Sequence, residues 1–144
     1  MNIYPRPQYG VTKMIELTDK EMKVLLKSQQ GEMDAVPMYL ALAEVVKDEK
    51  DARTFRQLAA EEGHHAAVFK ALTKQTLQPR RLKAVMLPKL YKLRGKKRLY
   101  PLIARVENAA VKTYQSVVER FPETASVRDD EKRHGDTVMA LLDD

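Results

Sequence analysis

Residue types that bind metal ions recur along the chain in two sets with the same pattern, one Glu followed by a Glu-x-x-His. The first set is Glu32, Glu62 and His65, and the second is Glu107, Glu131 and His134. Residues i and i+3 share one face of a helix, so each Glu-x-x-His presents a carboxylate beside an imidazole. Four carboxylates and two imidazoles suit two hard or borderline cations that share bridging carboxylates, and iron, manganese and zinc all accept these ligands. The pattern predicts a two-metal site.

All six residues interrupt apolar stripes with helical spacing. The four stripes are Met22, Leu25, Gln29, Glu32, Val36, Tyr39, Ala43, Val46; Phe55, Leu58, Glu62, His65, Phe69, Leu72; Ile103, Glu107, Ala110, Tyr114, Val117, Phe121; and Val127, Glu131, His134, Val138, Leu141. A charged group on a core face is costly unless it is paired or bound to metal. Metal ligation is therefore favoured over solvated carboxylates, and a bundle whose core pairs Glu with His without metal is the alternative.

The helices that carry these stripes can be bounded from the sequence. A capping box at Thr18 begins the first helix, which is expected to run to about Lys47. The second is expected to end near Gln75, the third to begin near Leu99–Pro101, and the fourth to begin at Pro122. A connection of about twenty-five residues separates helices two and three, with a short basic helix expected within residues 82–93. The predicted fold is all-α, an antiparallel ferritin-like four-helix bundle with a long crossover.

The positions of the predicted ligands along their helices agree with this topology. Glu32 and Glu62 are thirty residues apart, Glu107 and Glu131 are twenty-four apart, and both midpoints fall at or beside a predicted turn. Ligands at equal distances from the turn of an antiparallel hairpin lie level with each other. We therefore expect one domain over residues 1–144, with an extended N-terminal segment at residues 1–17 and a basic crossover at residues 76–98.

The second helix offers two registers for its motif, Glu61/His64 and Glu62/His65. The apolar stripe contains Glu62 and His65, so this pair is predicted to ligate metal and His64 to lie on the surface.

Four further residues are predicted to surround the ligands. Tyr39 and Tyr114 each follow the single Glu of their set by seven residues, so each can donate a hydrogen bond to a carboxylate of the other half, with plain core packing as the alternative. Glu61 and Asp130 each directly precede a ligand Glu and are predicted to orient the imidazole of the opposite half.

Composition limits the remaining chemistry. The chain has no Cys, which excludes disulfides, iron–sulfur clusters and a thiol nucleophile in these 144 residues. The first residues contain no apolar signal-peptide core, and no apolar run has the length of a membrane span. The expected location is the cytoplasm, with peripheral contact to a membrane as an additional prediction.

Charge is distributed unevenly along the chain. The net charge is +6, yet there is no Asp or Glu between Glu62 and Glu107, and that stretch contains many Lys and Arg. The basic segment, residues 80–98, also carries apolar residues, so we expect it to contact an oligomer partner or an anionic membrane surface, with a solvated face as the alternative. No nucleic-acid motif is present, and no nucleic-acid partner is expected.

The motif residues resemble the rubrerythrin branch of the ferritin-like superfamily. The resemblance rests on Gly31-Glu32 with Tyr39, Ala60-Glu61-Glu62-Gly63-His64-His65-Ala66, Glu107 with Tyr114, and Asp130-Glu131-Lys132-Arg133-His134. The short second half and the segment Gln78–Lys83 are similar to rubrerythrin-like domains that accompany vacuolar-iron-transporter-type membrane proteins. The resemblance implies a homodimer or higher homo-oligomer, contact of the basic segment with a membrane transporter, two bound iron ions, and oxidation of Fe(II) coupled to reduction of hydrogen peroxide or O2. A non-catalytic iron-binding or sensing module is the alternative.

Two departures from the rubrerythrin pattern bear on activity. Rubrerythrins usually carry a rubredoxin module with a Cys-ligated iron, and without Cys this chain needs a separate electron donor. They also carry a further Glu where this chain has Ala110, which leaves a symmetric six-ligand site that is also similar to bacterioferritin ferroxidase centres and di-iron hydroxylases.

Overall fold

The computed structural model describes residues 3–8 and 11–143, with side chains from residue 16 onward. Five α-helices follow a two-stranded hairpin. The elements are β1 (Ile3–Gln8), β2 (Val11–Glu16), α1 (Asp19–Val45), α2 (Glu49–Thr73), α3 (Leu82–Arg94), α4 (Lys96–Gln115) and α5 (Ala125–Ala140), with single 3₁₀ turns at Pro122–Thr124 and Leu141–Asp143. The helical residues make up most of the chain, and the predicted all-α, ferritin-like bundle is confirmed.

The N-terminal segment that the sequence predicted as extended contains two paired strands. β1 and β2 are antiparallel, with Ile3 opposite Glu16 and Gln8 opposite Val11. Residues 1–2 and 9–10 of this predicted segment lie outside the described residues. The hairpin therefore precedes the bundle and contributes no helix to it.

α1 begins directly after its predicted N-cap and ends two residues before Lys47, and α2 ends two residues before Gln75. α2 begins at Glu49, earlier than predicted, because the sequence indicated a turn over residues 48–51. The predicted capping box is present, since the Glu21 N–H donates to Thr18 Oγ1 and the Thr18 N–H donates to Glu21 Oε1, both at 3.1 Å. Asp48 caps α2 by accepting from the Lys50 N–H at 3.0 Å. α2 ends at Thr73, and its C-cap residue Lys74 adopts a left-handed φ of 58°. Local capping chemistry thus sets these bounds.

The third and fourth bundle helices begin at places other than those predicted. α4 begins at Lys96 rather than near Leu99–Pro101, because Gly95 has a positive φ of 74° and lets the chain turn directly from α3 into α4. Pro122 starts a 3₁₀ turn, and the α-helix begins only at Ala125.

The crossover contains the predicted short helix, which is α3. None of its residues is buried, but Leu87, Leu90 and Tyr91 pack partly buried against the core. The preceding loop is tied to α1 by Asp34, whose carboxylate accepts from the Arg80 N–H at 2.7 Å and from its Nε at 3.0 Å. α3 therefore lies on the outside of the bundle, against α1.

The core consists of two apolar clusters with a polar layer between them. The Phe55 cluster includes Tyr39, Leu42, Phe55, Leu58, Tyr100, Ile103, Val138 and Leu141. The Phe69 cluster is Leu17, Leu25, Phe69, Leu72, Tyr114, Phe121 and Val127. α1 and α5 run from the Phe69 cluster to the Phe55 cluster, whereas α2 and α4 run the opposite way. Because α2 and α4 are parallel, the connection between them must cross the length of the bundle, as predicted.

No helix in the described part of the chain has the length and apolar character needed to span a membrane.

Candidate metal centre

All six predicted ligands lie in the polar layer between the two apolar clusters. Each retains at most 4% of its accessible surface: Glu32, Glu62, His65, Glu107, Glu131 and His134. α1 and α4 supply one residue each, and α2 and α5 supply two each. In the alternative register, His64 is exposed and Glu61 is partly exposed. The bundle thus brings both sequence sets to one buried place.

The six residues form two overlapping groups of four. One group is Glu32, Glu62, His65 and Glu131, and the other is Glu62, Glu107, Glu131 and His134. Within each group, one ligand atom from every residue lies within 4.8 Å of the others. Glu62 and Glu131 belong to both groups, so they stand where bridging carboxylates would stand between two cations.

Both imidazoles direct Nδ1 toward this centre. His65 Nδ1 lies 3.0 Å from Glu131 Oε1 and 3.3 Å from Glu62 Oε1. His134 Nδ1 lies 2.9 Å from Glu62 Oε1 and 3.4 Å from Glu131 Oε1. The two rings stack at 5.5 Å between centroids with an interplanar angle of 23°. Glu62 and Glu131, which belong to both groups, therefore contact the imidazoles of both halves.

The inward-facing atoms of the centre lack hydrogen-bond partners. Each ligand has one such buried atom facing the centre, and His134 Nε2 on the far side of its ring also lacks a partner; the six inward atoms are Glu32 Oε2, Glu62 Oε1, His65 Nδ1, Glu107 Oε2, Glu131 Oε1 and His134 Nδ1. Buried polar atoms normally find a partner, since an unpaired one costs free energy. These six oxygen and nitrogen atoms face one another without hydrogen bonds, and they are atoms of the kind that bind cations. The residues present therefore fit two metal ions.

Both predicted tyrosines donate hydrogen bonds across the bundle. Tyr39 Oη donates to Glu107 Oε1, and Tyr114 Oη donates to Glu32 Oε1 at 2.6 Å. Each bond occupies Oε1 and leaves Oε2 of the same carboxylate facing the centre. Burial, together with the neighbouring carboxylate charges, raises the pKa of Tyr39 and of Tyr114, so both phenols remain protonated donors.

The two outer carboxylates lie against the imidazoles of the opposite half. Asp130 Oδ2 lies 2.8 Å from His65 Nε2, and Glu61 Oε1 lies 3.5 Å from His134 Nε2. Burial raises the pKa of Asp130, but the contacts with His65 and Arg133 outweigh it and lower this pKa overall. The Asp130 carboxylate on Nε2 of His65 fixes the tautomer that leaves Nδ1 free to bind metal, whereas Glu61 contacts His134 Nε2 without a hydrogen bond.

Sequence reasoning did not identify Arg133, which holds both outer carboxylates. Its guanidinium donates to Glu61 and, at 3.2 Å, to Asp130 Oδ1. The sequence shows that Arg133 lies between the two ligands of α5, but its contact with Glu61 on α2 depends on how the helices pack. Arg133 thus links the carboxylate beside His134 to the carboxylate beside His65.

Without metal ions, protons on the imidazoles and carboxylates of the centre compensate its negative charge. Burial opposes a charge on His134, but contacts with Glu107 and the other carboxylates outweigh burial and raise the pKa of His134 to about 12. The same competition raises the pKa of His65, chiefly through Glu131. Burial raises the pKa of Glu107 to about 8. Metal ions must displace these protons, so binding weakens as the pH falls.

Replacing Asp130 by Ala is expected to weaken metal binding by ~10–100-fold with the fold retained, because His65 loses the carboxylate that orients it. The measurement is a competition titration against a chromogenic chelator, with circular dichroism as the test of folding. Asp129→Ala is the matched control, since that carboxylate is exposed and, among the described side chains, pairs with Arg128 on its own helix. Equal affinities for the two variants would contradict a role for Asp130.

The fold and the site together define a class of protein. Two helical hairpins joined by a long crossover, each giving a Glu and a Glu-x-x-His to one buried centre, are the architecture of ferritin-like carboxylate proteins.

Comparison with known proteins identifies the family within this class. The family model described as Rubrerythrin matches residues 23–142, which include all six residues of the centre. The chain therefore belongs to the rubrerythrin family. Comparisons with curated proteins and with solved structures found no match.

Proposed function

We propose that the chain is a di-iron carboxylate protein that oxidises Fe(II) with reduction of hydrogen peroxide or O2. The observation that carries the proposal is the pair of overlapping ligand groups, which share Glu62 and Glu131 and present six unpaired buried donor atoms. Membership of the rubrerythrin family supports iron as the metal, while manganese and zinc satisfy the same ligands.

Charge balance supports two divalent ions. The four carboxylates of the centre carry four negative charges when ionised, which equals the positive charge of two such ions. No lysine or arginine lies among the buried residues of the described chain, so the positive charge that balances this set comes from metal ions or, without them, from protons on the two imidazoles. Charged groups in a buried site need such compensation.

The protein's residues prepare this centre for a two-electron reaction. When bound as ferrous ions, the metal pair supplies two electrons that, with two protons, reduce hydrogen peroxide to two water molecules. Tyr39 and Tyr114 hold protons on Oη and steady the two terminal carboxylates as charge at the centre changes. Asp130 does the same for the His65 imidazole through its hydrogen bond, and the charge of Glu61 lies 3.5 Å from His134 Nε2. The apolar clusters on both sides exclude bulk water. Electrons for a further cycle come from a separate donor, since the chain has no Cys.

The test is stopped-flow absorbance after anaerobic ferrous protein is mixed with hydrogen peroxide or with O2. We expect oxidation of two iron ions per peroxide, at least tenfold faster than oxidation of free Fe(II) under the same conditions. Protein that binds two ferrous ions but leaves both unoxidised by either oxidant would contradict the proposal.

The alternative function is a non-catalytic module that senses iron or delivers it to a transporter or store. One observation favours it: the basic segment exposes Leu82, Val85 and Leu93. Contact of this segment with a membrane transporter or an anionic membrane surface remains a prediction, as does a homo-oligomer. Reversible iron binding without oxidation in the stopped-flow experiment would support this alternative.

A further inference from the structure

A cavity of about 280 Å³ opens beside the metal centre, between α1, α3 and α4. Its inner end is formed by the carboxylates of the centre and the rings of Tyr39 and Tyr114. Its walls are aliphatic and include Met38, Leu87, Leu90 and Ile103. The cavity exists because α3 lies against α1 without burying any of its own residues.

The open side of the cavity is apolar as well. Leu102 and Val106 line it and remain 48% and 62% exposed. Apolar side chains exposed beside an apolar cavity are typical of a ligand site. A water molecule needs only ~10–15 Å³ of such space, so the cavity far exceeds what hydrogen peroxide or O2 requires.

One cationic group lines this cavity. Lys83 is exposed at its open side, and no carboxylate pairs with it among the side chains that the structure describes. The chain has no Asp or Glu between Glu62 and Glu107, so neither α3 nor the first half of α4 offers a competing anion. The open side therefore attracts a negative charge, while the carboxylates at the inner end repel one.

We propose that this cavity binds a medium-chain aliphatic carboxylate, with its head group at Lys83 and its tail along the apolar walls toward the metal centre. The charges of the cavity favour this orientation, because the exposed Lys83 attracts a carboxylate head group and the buried carboxylates of the centre repel it. Small residues at Gly31, Ala35 and Ala110 leave space for the tail beside the centre. This carboxylate is a ligand additional to the metal ions and the oxidant of the proposed function, and it contacts Lys83 and the aliphatic walls of the cavity.

Decanoate, used below its micelle-forming concentration, is the probe for calorimetric titration of the full chain with and without bound Zn²⁺. We expect saturable binding of one decanoate per chain. Lys83→Glu should weaken it about fivefold, as expected for loss and reversal of one partly solvated charge. Lys89→Glu is the matched control, because Lys89 is exposed on the same helix but does not line the cavity. Its affinity should stay within twofold of the unchanged chain.

The position of the tail is tested by Ala110→Leu, with circular dichroism as the folding check. The added side chain should weaken binding of decanoate more than binding of the shorter hexanoate. Absence of saturable decanoate binding would overturn the proposal, as would equal loss in Lys83→Glu and Lys89→Glu. A dimer by sedimentation that binds no decanoate would assign this face to a second copy instead. Normal metal binding in any of these cases would show that only the carboxylate site has failed.

Discussion

Replacing Glu131 by Gln is expected to remove both metal ions from the protein. Glu131 belongs to both ligand groups, and its Oε1 lies 3.0 Å from His65 Nδ1 and 3.4 Å from His134 Nδ1. Burial raises the pKa of Glu131, but the two imidazoles outweigh burial and lower this pKa well below its usual range, so the group is an anion at neutral pH. A neutral amide removes that charge and one bridging oxygen, which should exceed the ~10–100-fold loss typical of outer contacts.

Metal analysis of the purified variant and chelator competition measure this effect. Glu32→Gln is the informative comparison, because Glu32 belongs to one group only and the second group retains all four residues. We expect that variant to keep about one ion per chain, as the four donors of a single site remain. Exposed Glu119→Gln should keep two ions. Two ions retained in Glu131→Gln, or none in Glu32→Gln, would contradict the shared-carboxylate arrangement.

Phe55→Ala is expected to lower the free energy of unfolding by ~3–5 kcal/mol, the range for a phenylalanine removed from a packed core. Phe55 has no exposed surface and stacks on Tyr39 at 5.7 Å between ring centroids. Its edge also meets Tyr100 at 5.3 Å and 82°. The loss of the ring leaves a cavity and frees Tyr39 from the packing that aims it at Glu107. Metal affinity should therefore fall together with stability.

Equilibrium unfolding in denaturant, on metal-free protein, gives the stability change without the contribution of bound metal. Leu82→Ala is the control, since Leu82 is 69% exposed and its loss should cost less than ~0.5 kcal/mol. A change below 1 kcal/mol for Phe55→Ala would show that the ring does not organise this cluster.

The bundle and the position of its centre were predictable because charged residues on apolar stripes are rare and costly. Glu62 and His65 could be preferred over Glu61 and His64 from the stripe alone, and the structure buries the first pair while leaving His64 exposed. The cross-bundle bonds of Tyr39 and Tyr114 followed from the repeat of Glu and Tyr seven residues apart. These features depend on periodicity, which a single sequence records.

Features that depend on how helices pack could not be predicted in the same way. The start of α4 is set by Gly95, whose positive φ a sequence does not reveal. Arg133 reaches Glu61 only because α5 lies beside α2. The cavity arises from the placement of α3, and the amphipathic pattern of α3 predicts a helix but not which face of the bundle it covers.

The residues that hydrogen-bond the metal ligands belong to the other pair of helices, α1–α2 or α4–α5. Tyr39 and Tyr114 reach across between α1 and α4, and Asp130 reaches from α5 to His65 on α2. Each ligand group also takes at least one carboxylate from each hairpin. Neither half of the chain can therefore hold a complete site alone, and metal uptake is thermodynamically linked to docking of the two halves. At a metal concentration 100 times the dissociation constant, this linkage contributes ~2.7 kcal/mol against their separation. A cell depleted of metal would thus hold a looser, more protease-sensitive form of the same protein.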